Sequence, residues 1–198
     1  MVAARDCTRV KLTVSKDSNA GALVALICLT VFGAVFIIYT TRYLPETVGT
    51  HFGTDHRADG WMTRTGYLAF ILAFLIGVPG LVSFLVGALP RKYPQWTNVP
   101  NRDYWLAAAR REESLLFLST HGMRLACLIV MMMLGIHYTI LVANHLNPPA
   151  LPLRIFSSIL IGFALSLVWW IVRLYRRFAR PKWLDDQRDD ASGEAEHR

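Results

Sequence analysis

A hydrophilic stretch at residues 44–61 holds side chains that could bind a metal ion or exchange protons. It contains His51, Asp55, His56 and Asp59 within nine positions. Imidazole nitrogens and carboxylate oxygens are ligands for divalent metals, and neighbouring His and Asp side chains can act as general acid and base. These four residues are therefore the candidate metal ligands of the chain.

The spacing of these groups also fits a structural role, which we prefer. The two histidines lie five positions apart and would diverge on a helix, so a shared ion would need a loop that folds back. In the structural alternative, Asp55 and Asp59 cap turns while Gly53 and Gly60 supply positive φ angles. The stretch contains no Ser or Cys nucleophile, and the chain has no HExxH motif. We therefore favour a non-catalytic protein without a cofactor, and an enzyme stays as the minority alternative.

A second set of polar side chains falls within or beside apolar stretches. It consists of His121, Arg124, His137 and Arg154. A titratable group inside a membrane segment is by default a functional-site candidate. We interpret His137 as a residue that hydrogen-bonds to a neighbouring helix, because its apolar stretch has no carboxylate for a proton relay. No other apolar stretch contains a histidine that could hold a haem with it.

The elements that position these residues are predicted to be membrane-spanning helices. Of the 198 residues, 54% are hydrophobic and 18% are charged, which lies outside the usual soluble balance. Four apolar blocks, residues 20–41, 67–89, 125–146 and 151–174, are each long enough to cross a hydrocarbon core of about 30 Å. Backbone polar groups must be paired in lipid, so each block is predicted to be a helix. The fold class is thus an all-α polytopic membrane protein with four transmembrane helices.

The distribution of basic residues predicts the orientation of the bundle. The formal charge is +7, and most of the 21 basic residues fall into three clusters on one side of the predicted bundle, whereas the first loop on the opposite side holds only Arg42, Arg57 and Arg64. They are Arg5, Arg9, Lys11 and Lys16; Arg91, Lys92, Arg102, Arg110 and Arg111; and Arg173, Arg176, Arg177, Arg180 and Lys182. The positive-inside rule then places both termini in the cytoplasm, loop 42–66 outside and loop 90–113 inside. The basic surplus predicts attraction to anionic lipid and no nucleic-acid surface.

Several local features complete the predicted organisation. Residues 1–19 are expected to form a cytoplasmic arm with little structure, and residues 20–183 the transmembrane domain. Residues 184–198, which are polar and without periodicity, are expected to form a disordered tail. Pro79 and its flanking glycines predict a kink in the second span. In loop 90–113, Asn101 is expected to cap a juxtamembrane helix that begins at Arg102. Gly33 and the small residues at 162–166 predict faces where helices approach closely.

Two segments resemble a family of bacterial membrane domains of unknown function, found at the N-terminus of SdpI-type immunity proteins. The first segment carries Leu44-Pro45, Thr50-His51-Phe52 and Asp59-Gly60-Trp61, and the second Asn98-Val99-Pro100-Asn101-Arg102-Asp103-Tyr104-Trp105-Leu106 with Arg110-Arg111. Gly49 departs from the family pattern, in which a proline precedes the histidine step. His56 departs too, because the family has a glycine there. The resemblance covers roughly residues 39–113.

The resemblance implies a multi-pass protein of the bacterial cytoplasmic membrane with a binding, regulatory or immunity-like role. The residues expected to shape the loops and contact a partner are His51, Phe52, Asp59, Gly60, Trp61, Asn98, Pro100, Asn101, Tyr104 and Trp105. The expected partners are the lipid bilayer and either a peptide or another membrane protein, with a homo- or hetero-oligomer left open. Two alternatives remain, an accessory subunit of a larger membrane complex and a metal- or proton-coupled transporter or enzyme.

Overall fold

The computed structural model describes residues 2–179, with side chains from residue 16 onward, and its main feature is a bundle of four long helices. These are α1 (Val2–Thr40), α2 (Arg64–Ser83), α5 (Arg111–Asn144) and α6 (Leu153–Phe178). Two one-turn helices, α3 (Leu89–Lys92) and α4 (Arg102–Trp105), lie between α2 and α5. Within the described residues, four helical segments are long and apolar enough to cross a membrane. The predicted mostly helical fold, with four helices long and apolar enough to span a membrane, is confirmed.

The polar stretch between α1 and α2 is a β-hairpin, so the all-α prediction is wrong there. Strand β1 (Thr47–Phe52) pairs antiparallel with β2 (Ala58–Thr63). β-Branched Thr47 and Val48 favour an extended backbone. The hairpin ends where Thr63 caps α2, its Oγ1 accepting a hydrogen bond from Gly66 N at 3.1 Å. We call this end of the bundle, residues 41–66 with 144–152, the hairpin end.

The helices extend beyond the apolar blocks that predicted them. α1 begins at Val2, so it includes the segment that was expected to have little structure. α5 begins at Arg111 and not near residue 125, and its first turn carries Glu112 and Glu113, which stabilise the positive end of the helix dipole. Hydropathy detects only the apolar part of a helix, and residues 2–19 and 111–124 are too polar to be detected in this way, which explains the difference. The predicted tail at 184–198 lies outside the described residues.

The second span is continuous through its proline. α2 runs past Pro79 to Ser83 and passes through a π-helical turn, Phe84–Ala88, into α3. Within this turn Gly87 lies against α5, where a Cβ atom would stand 3.1 Å from the Cα of Ser119. On α5, a Cβ atom at Gly122 would stand 2.9 Å from the Cβ of Val86. These glycines allow the end of the second span and the start of the third to pack closely.

The core is organised around α5, which contacts α1, α2 and α6. The main cluster of buried apolar side chains consists of Ile37, Leu44, Val48, Tyr67, Ile71, Leu75, Ile129, Val130, Met133, Leu134 and Ile140. Large apolar side chains also cover the outward faces of the long helices, including Phe32 (63% exposed) and Leu165 (66% exposed). Exposed apolar surface of this extent is typical of membrane contact.

Candidate functional site

Five residues, 53–57, connect the two strands of the hairpin. Gly53 N donates to Arg57 O at 3.0 Å, and Arg57 N donates to the carboxylate of Asp55 at 3.2 Å. His56 has a positive φ of 64°, whereas no glycine in the described chain has a positive φ. The prediction that Gly53 and Gly60 supply positive φ is therefore wrong. Histidine is among the non-glycine residues that tolerate this conformation.

The glycines of the hairpin serve close contact between the strands. A Cβ atom at Gly60 would lie 2.7 Å from the Cβ of His51, which stands opposite it in the register. A Cβ atom at Gly49 would lie 2.9 Å from the Cβ of Ala58 and 3.4 Å from the indole of Trp61. Gly49, a departure from the family pattern, is thus required by the packing of its neighbours across the hairpin.

Asn144, at the end of α5, occupies the outer edge of β1. Its Oδ1 accepts a hydrogen bond from Gly49 N at 2.7 Å, and its Nδ2 donates to Gly49 O at 2.9 Å. The same Nδ2 donates to Ile140 O at 2.9 Å, which fixes the side chain on its helix. One amide side chain therefore satisfies both backbone groups of a strand residue, as a neighbouring strand would.

The loop between α5 and α6 occupies the edge at the other strand. Ala58 N donates to Pro149 O at 3.1 Å, and Leu151 N donates to His56 O at 2.8 Å. A single bridge also pairs Arg57 with Ala150. One edge of the hairpin is thus hydrogen-bonded to the last residue of α5 and the other to the loop that follows α5, and these bonds hold the hairpin against the bundle.

The outward face of the hairpin carries three exposed side chains, which we call the hairpin face: His51, Asp59 and Trp61. The Nδ1 of His51 lies 2.5 Å from Oδ1 of Asp59, and these side chains are 76% and 53% exposed. Trp61 is 48% exposed. Phe52 is instead half-buried against the apolar core, and half-buried Gly60 sits beneath His51. The predicted outer residues therefore divide into three that face solvent and two that support them.

Of the four candidate metal ligands, only His51 and Asp59 contact each other. His51 and Asp59 form the hydrogen-bonded pair described above, while Asp55 bonds the backbone of its own turn. The His56 side chain is exposed. Among residues 16–179, whose side chains are described, no three His, Cys, Asp or Glu side chains form a group able to hold a metal. The pair offers two ligand atoms to a cation, where structural zinc sites use four.

His137 lies at the centre of a buried hydrogen-bonded cluster between three helices. Its Nε2 lies 2.8 Å from Thr40 Oγ1 on α1, and its Nδ1 lies 2.7 Å from Tyr67 Oη on α2. The imidazole also stacks on the Tyr67 ring and meets the edge of Phe36. A neutral imidazole has one donor and one acceptor, so the two hydroxyls satisfy it completely. The contact with neighbouring helices that the sequence predicted is present.

His121 forms a reciprocal pair with Trp170 of α6. The His121 Nε2 donates to Trp170 O at 3.0 Å, the Trp170 Nε1 donates to His121 O at 2.9 Å, and the rings stack 4.5 Å apart. This pair joins α5 to α6 at the end away from the hairpin. Of the predicted arginines, Arg124 is half-buried and Arg154 is exposed, and neither forms an ion pair within the described part of the chain.

At the end opposite the hairpin, two of the predicted loop residues bind the last turn of α6. Asn101 Nδ2 and Trp105 Nε1 each donate to Phe178 O at 3.1 Å. The Arg177 guanidinium lies 4.4 Å from the centre of the Trp105 ring and 2.8 Å from the carboxylate of Glu113. The terminal carbonyl of a helix needs such donors, so this part of the loop is a structural clamp on α6.

The remaining predicted loop residues have different surroundings. Asn98 and Pro100 are exposed, and the Tyr104 ring lies 4.0 Å from the Arg110 guanidinium. Asn101 precedes α4 as predicted, but its side chain makes no cap hydrogen bond because the amide is bonded to α6. The predicted juxtamembrane helix is interrupted, since α4 ends at Trp105 and α5 begins only at Arg111.

Several residues that define the site have no signal in the sequence. In the sequence, Asn144 is only a polar residue near the end of an apolar block. Tyr67 and Trp170 are residue types common at membrane interfaces, and Thr40 is an isolated polar residue at the end of an apolar block, so none of them stands out. Each gains its role from a partner far away in the chain: 95 positions separate Asn144 from Gly49. A search for polar residues near span ends would find Asn144 but not its partner.

Comparisons of this chain with family models, with curated proteins and with solved structures found no match.

Proposed function

We propose that this chain is a non-catalytic binding protein of the bacterial cytoplasmic membrane, which recognises a peptide or protein segment through its hairpin face. In this proposal both termini lie in the cytoplasm and the hairpin lies outside. One observation carries the proposal: an exposed His51–Asp59 pair beside the exposed ring of Trp61, on a hairpin whose edges are bonded to the bundle.

The bonded edges favour recognition by side chains. An extended peptide can add to a sheet only where backbone groups are free. At Gly49 the outward backbone groups are used by Asn144, and at Ala58 the amide is used by Pro149. A partner at these positions would therefore contact the outward side chains and not the strand edges.

The chemistry of the hairpin face suits a peptide or a loop of another membrane protein. Tryptophan is enriched among the residues that contribute most to protein interfaces, because it buries a large rigid surface. His51 and Asp59 add an imidazole and a carboxylate within hydrogen-bond distance of one another. The resemblance to SdpI-type immunity proteins supports an immunity-like role, in which the ligand is a peptide outside the cell.

A photo-crosslinking experiment in intact cells tests the proposal. A photoreactive phenylalanine analogue replaces Trp61, which is 48% exposed, and in a matched control it replaces Trp96, which is 66% exposed at the opposite end. We expect a discrete adduct from position 61 only. Adding His51→Ala should lower the yield of this adduct about fivefold, the change expected if His51 contributes about 1 kcal/mol to binding at the centre of the interface.

The same experiment can contradict the proposal. Equal adducts from positions 61 and 96 would show non-specific proximity in the membrane. An adduct from position 61 that His51→Ala and Asp59→Ala both leave unchanged would remove the hairpin face as the recognition surface.

An accessory-subunit role is a second candidate, favoured by the exposed face of α6. A Cβ atom at Gly162 would meet no atom within 4 Å, although the small-residue pattern around it suits a close helix contact. A groove of about 150 Å³ runs beside it between α5 and α6. A helix from another chain would cover this face.

Co-purification in mild detergent separates this candidate from the first. If another chain covers α6, Gly162→Leu should release it. Gly77→Leu, at a glycine of α2 that also has no atom within 4 Å of its Cβ position, should retain it. Retention in both variants would count against a partner at α6.

The transporter alternative has weaker support from the intramembrane histidine. Both ring nitrogens of His137 are bonded to neutral hydroxyls, and neither bond goes to a carboxylate. Proton transfer through this residue would have to break one of those bonds first.

A further inference from the structure

A groove lined by cations lies at the end of the bundle opposite the hairpin. It is bordered by α1, α3 and the start of α5, and its volume is about 490 Å³, which lies within the usual range of small-ligand sites of about 300–1,000 Å³. Lys16, Arg91 and Arg111 line its polar side, and Leu115 and Leu116 form an apolar wall. None of these residues belongs to the hairpin face.

Close helix packing brings the cations together. Gly87 and Gly122 let the π-helical turn at the end of the second span approach α5, where a Cβ atom at Gly87 would stand 3.1 Å from the Cα of Ser119. Arg91 follows one turn after Gly87, and Arg111 is the first residue of α5. Two guanidinium groups from different spans therefore border the same groove.

The groove keeps an excess of positive charge. Its one carboxylate, Glu112, is 3.4 Å from the Lys16 ammonium. Arg91 and Arg111 form no ion pair with any described side chain. Both are exposed, so their guanidinium groups are available to a ligand.

We propose that this groove binds the phosphate of an anionic phospholipid headgroup. Guanidinium groups bind phosphate oxygens in pairs, which gives them an advantage over a point charge. Arg91 and Arg111 stand at the ends of apolar spans, where the headgroups of a bilayer lie. Basic pockets between transmembrane helices are a known form of anionic lipid site. Leu115 and Leu116 line the groove but are largely buried, so they offer the glycerol region only a small apolar contact.

Lipid titration of the purified full-length protein tests this site. Dioleoyl phosphatidylglycerol is titrated in detergent and bound lipid is counted by native mass spectrometry, with dioleoyl phosphatidylcholine as the neutral comparison. Arg91→Gln and Arg111→Gln should each weaken phosphatidylglycerol binding by roughly tenfold, since each removes a charge-assisted hydrogen-bonding group. The matched control is Arg176→Gln, an exposed arginine near the end of α6 that is not part of the groove. It should change affinity by less than about twofold, because it removes the same charge without a groove contact.

Three results would overturn the proposal. Equal weakening by Arg176→Gln would show diffuse attraction to the basic end of the protein. Equal binding of phosphatidylcholine would show that charge is not recognised. Displacement of the lipid by inorganic phosphate at equal concentration would show a site for free phosphate. Because the three arginines are exposed, their variants should match the unsubstituted protein in circular dichroism and size-exclusion profile, so a loss of binding reports on the groove.

Discussion

His137 shows how one residue can join three long helices. Its two ring nitrogens reach Thr40 on α1 and Tyr67 on α2, and the residue itself is completely buried on α5. In an apolar interior an unpaired nitrogen costs more than the hydrogen bond contributes when made. The pairing is therefore specific. Because one ring nitrogen donates and the other accepts, one hydroxyl must accept a hydrogen bond and the other must donate one. His121 is satisfied only in part: its Nε2 and its carbonyl make the reciprocal bonds with Trp170, but among the described residues its buried Nδ1 has no hydrogen-bond partner.

Removal of one hydroxyl tests this cluster. Tyr67→Phe keeps the ring that stacks on His137 but leaves Nδ1 without its partner. We expect the free energy of unfolding in detergent to fall by about 1 kcal/mol or more. Tyr138→Phe is the matched control, because Tyr138 is 50% exposed and lies on α5 next to His137. An equal free energy of unfolding in the two variants would show that the hydrogen bond between Tyr67 and His137 contributes nothing to stability.

The hairpin depends for its stability on the end of α5 and the loop after it, which lie beside the two strands. A two-stranded hairpin is at best marginally stable alone in water. Here Val48 is completely buried, Phe52 packs on the core, and Asn144 and the loop after α5 pair with the edges. The hairpin face is therefore held in one orientation by the bundle, which reduces the ordering cost of binding a partner.

Loss of the Asn144 amide should loosen the hairpin without unfolding the bundle. Asn144→Ala removes both hydrogen bonds to Gly49. Amide hydrogens of residues 47–52 should then exchange roughly tenfold faster, since two bonds of about 0.5–1.5 kcal/mol each are lost. His145→Ala is a suitable control, because the exposed His145 ring bonds only the backbone of its own helix. Unchanged amide exchange in Asn144→Ala would show that the packing of Val48 and Phe52 and the bonds to the loop after α5 are enough to hold the hairpin in place.

The two ends of the bundle differ in chemistry. The hairpin end presents the His51–Asp59 pair and Trp61, while the other end carries the cationic groove and the clamp on Phe178. α6 is bonded near both ends, through the loop before it and through its last carbonyl, while much of its middle is exposed. The proposed orientation assigns these ends to opposite sides of the membrane.

Cysteine labelling of intact cells tests that orientation. In a background in which the three natural cysteines are replaced, Thr54→Cys and Asn98→Cys place single thiols at exposed positions on opposite ends. A membrane-impermeant maleimide should label position 54 and not position 98, because the basic clusters favour a cytoplasmic location for the second. Labelling of position 98 alone would reverse the orientation.

Local composition was sufficient for some of the architecture. Four apolar blocks predicted four spans, because a hydrocarbon core imposes a minimum length on each helix and excludes unpaired backbone. Composition did not predict the helical segment from Val2, since those residues carry no apolar signal. It predicted one juxtamembrane helix from Arg102, where the chain instead has the one-turn α4 and a new helix that begins at Arg111. It also did not reveal the hairpin, whose glycines suggested a loop.

From residue types along the chain one could therefore predict four helices long enough to span a membrane, the asymmetry of charge and the polar stretch that carries the hairpin face. The contacts of His51 with Asp59, of Asn144 with Gly49 and of His137 with Tyr67 became visible only in the folded chain. They were hidden from the sequence by the distance along the chain between most of the partners. Hydropathy and turn preferences act over a few residues, whereas the last two contacts join positions 95 and 70 residues apart and exist only once the helices have packed.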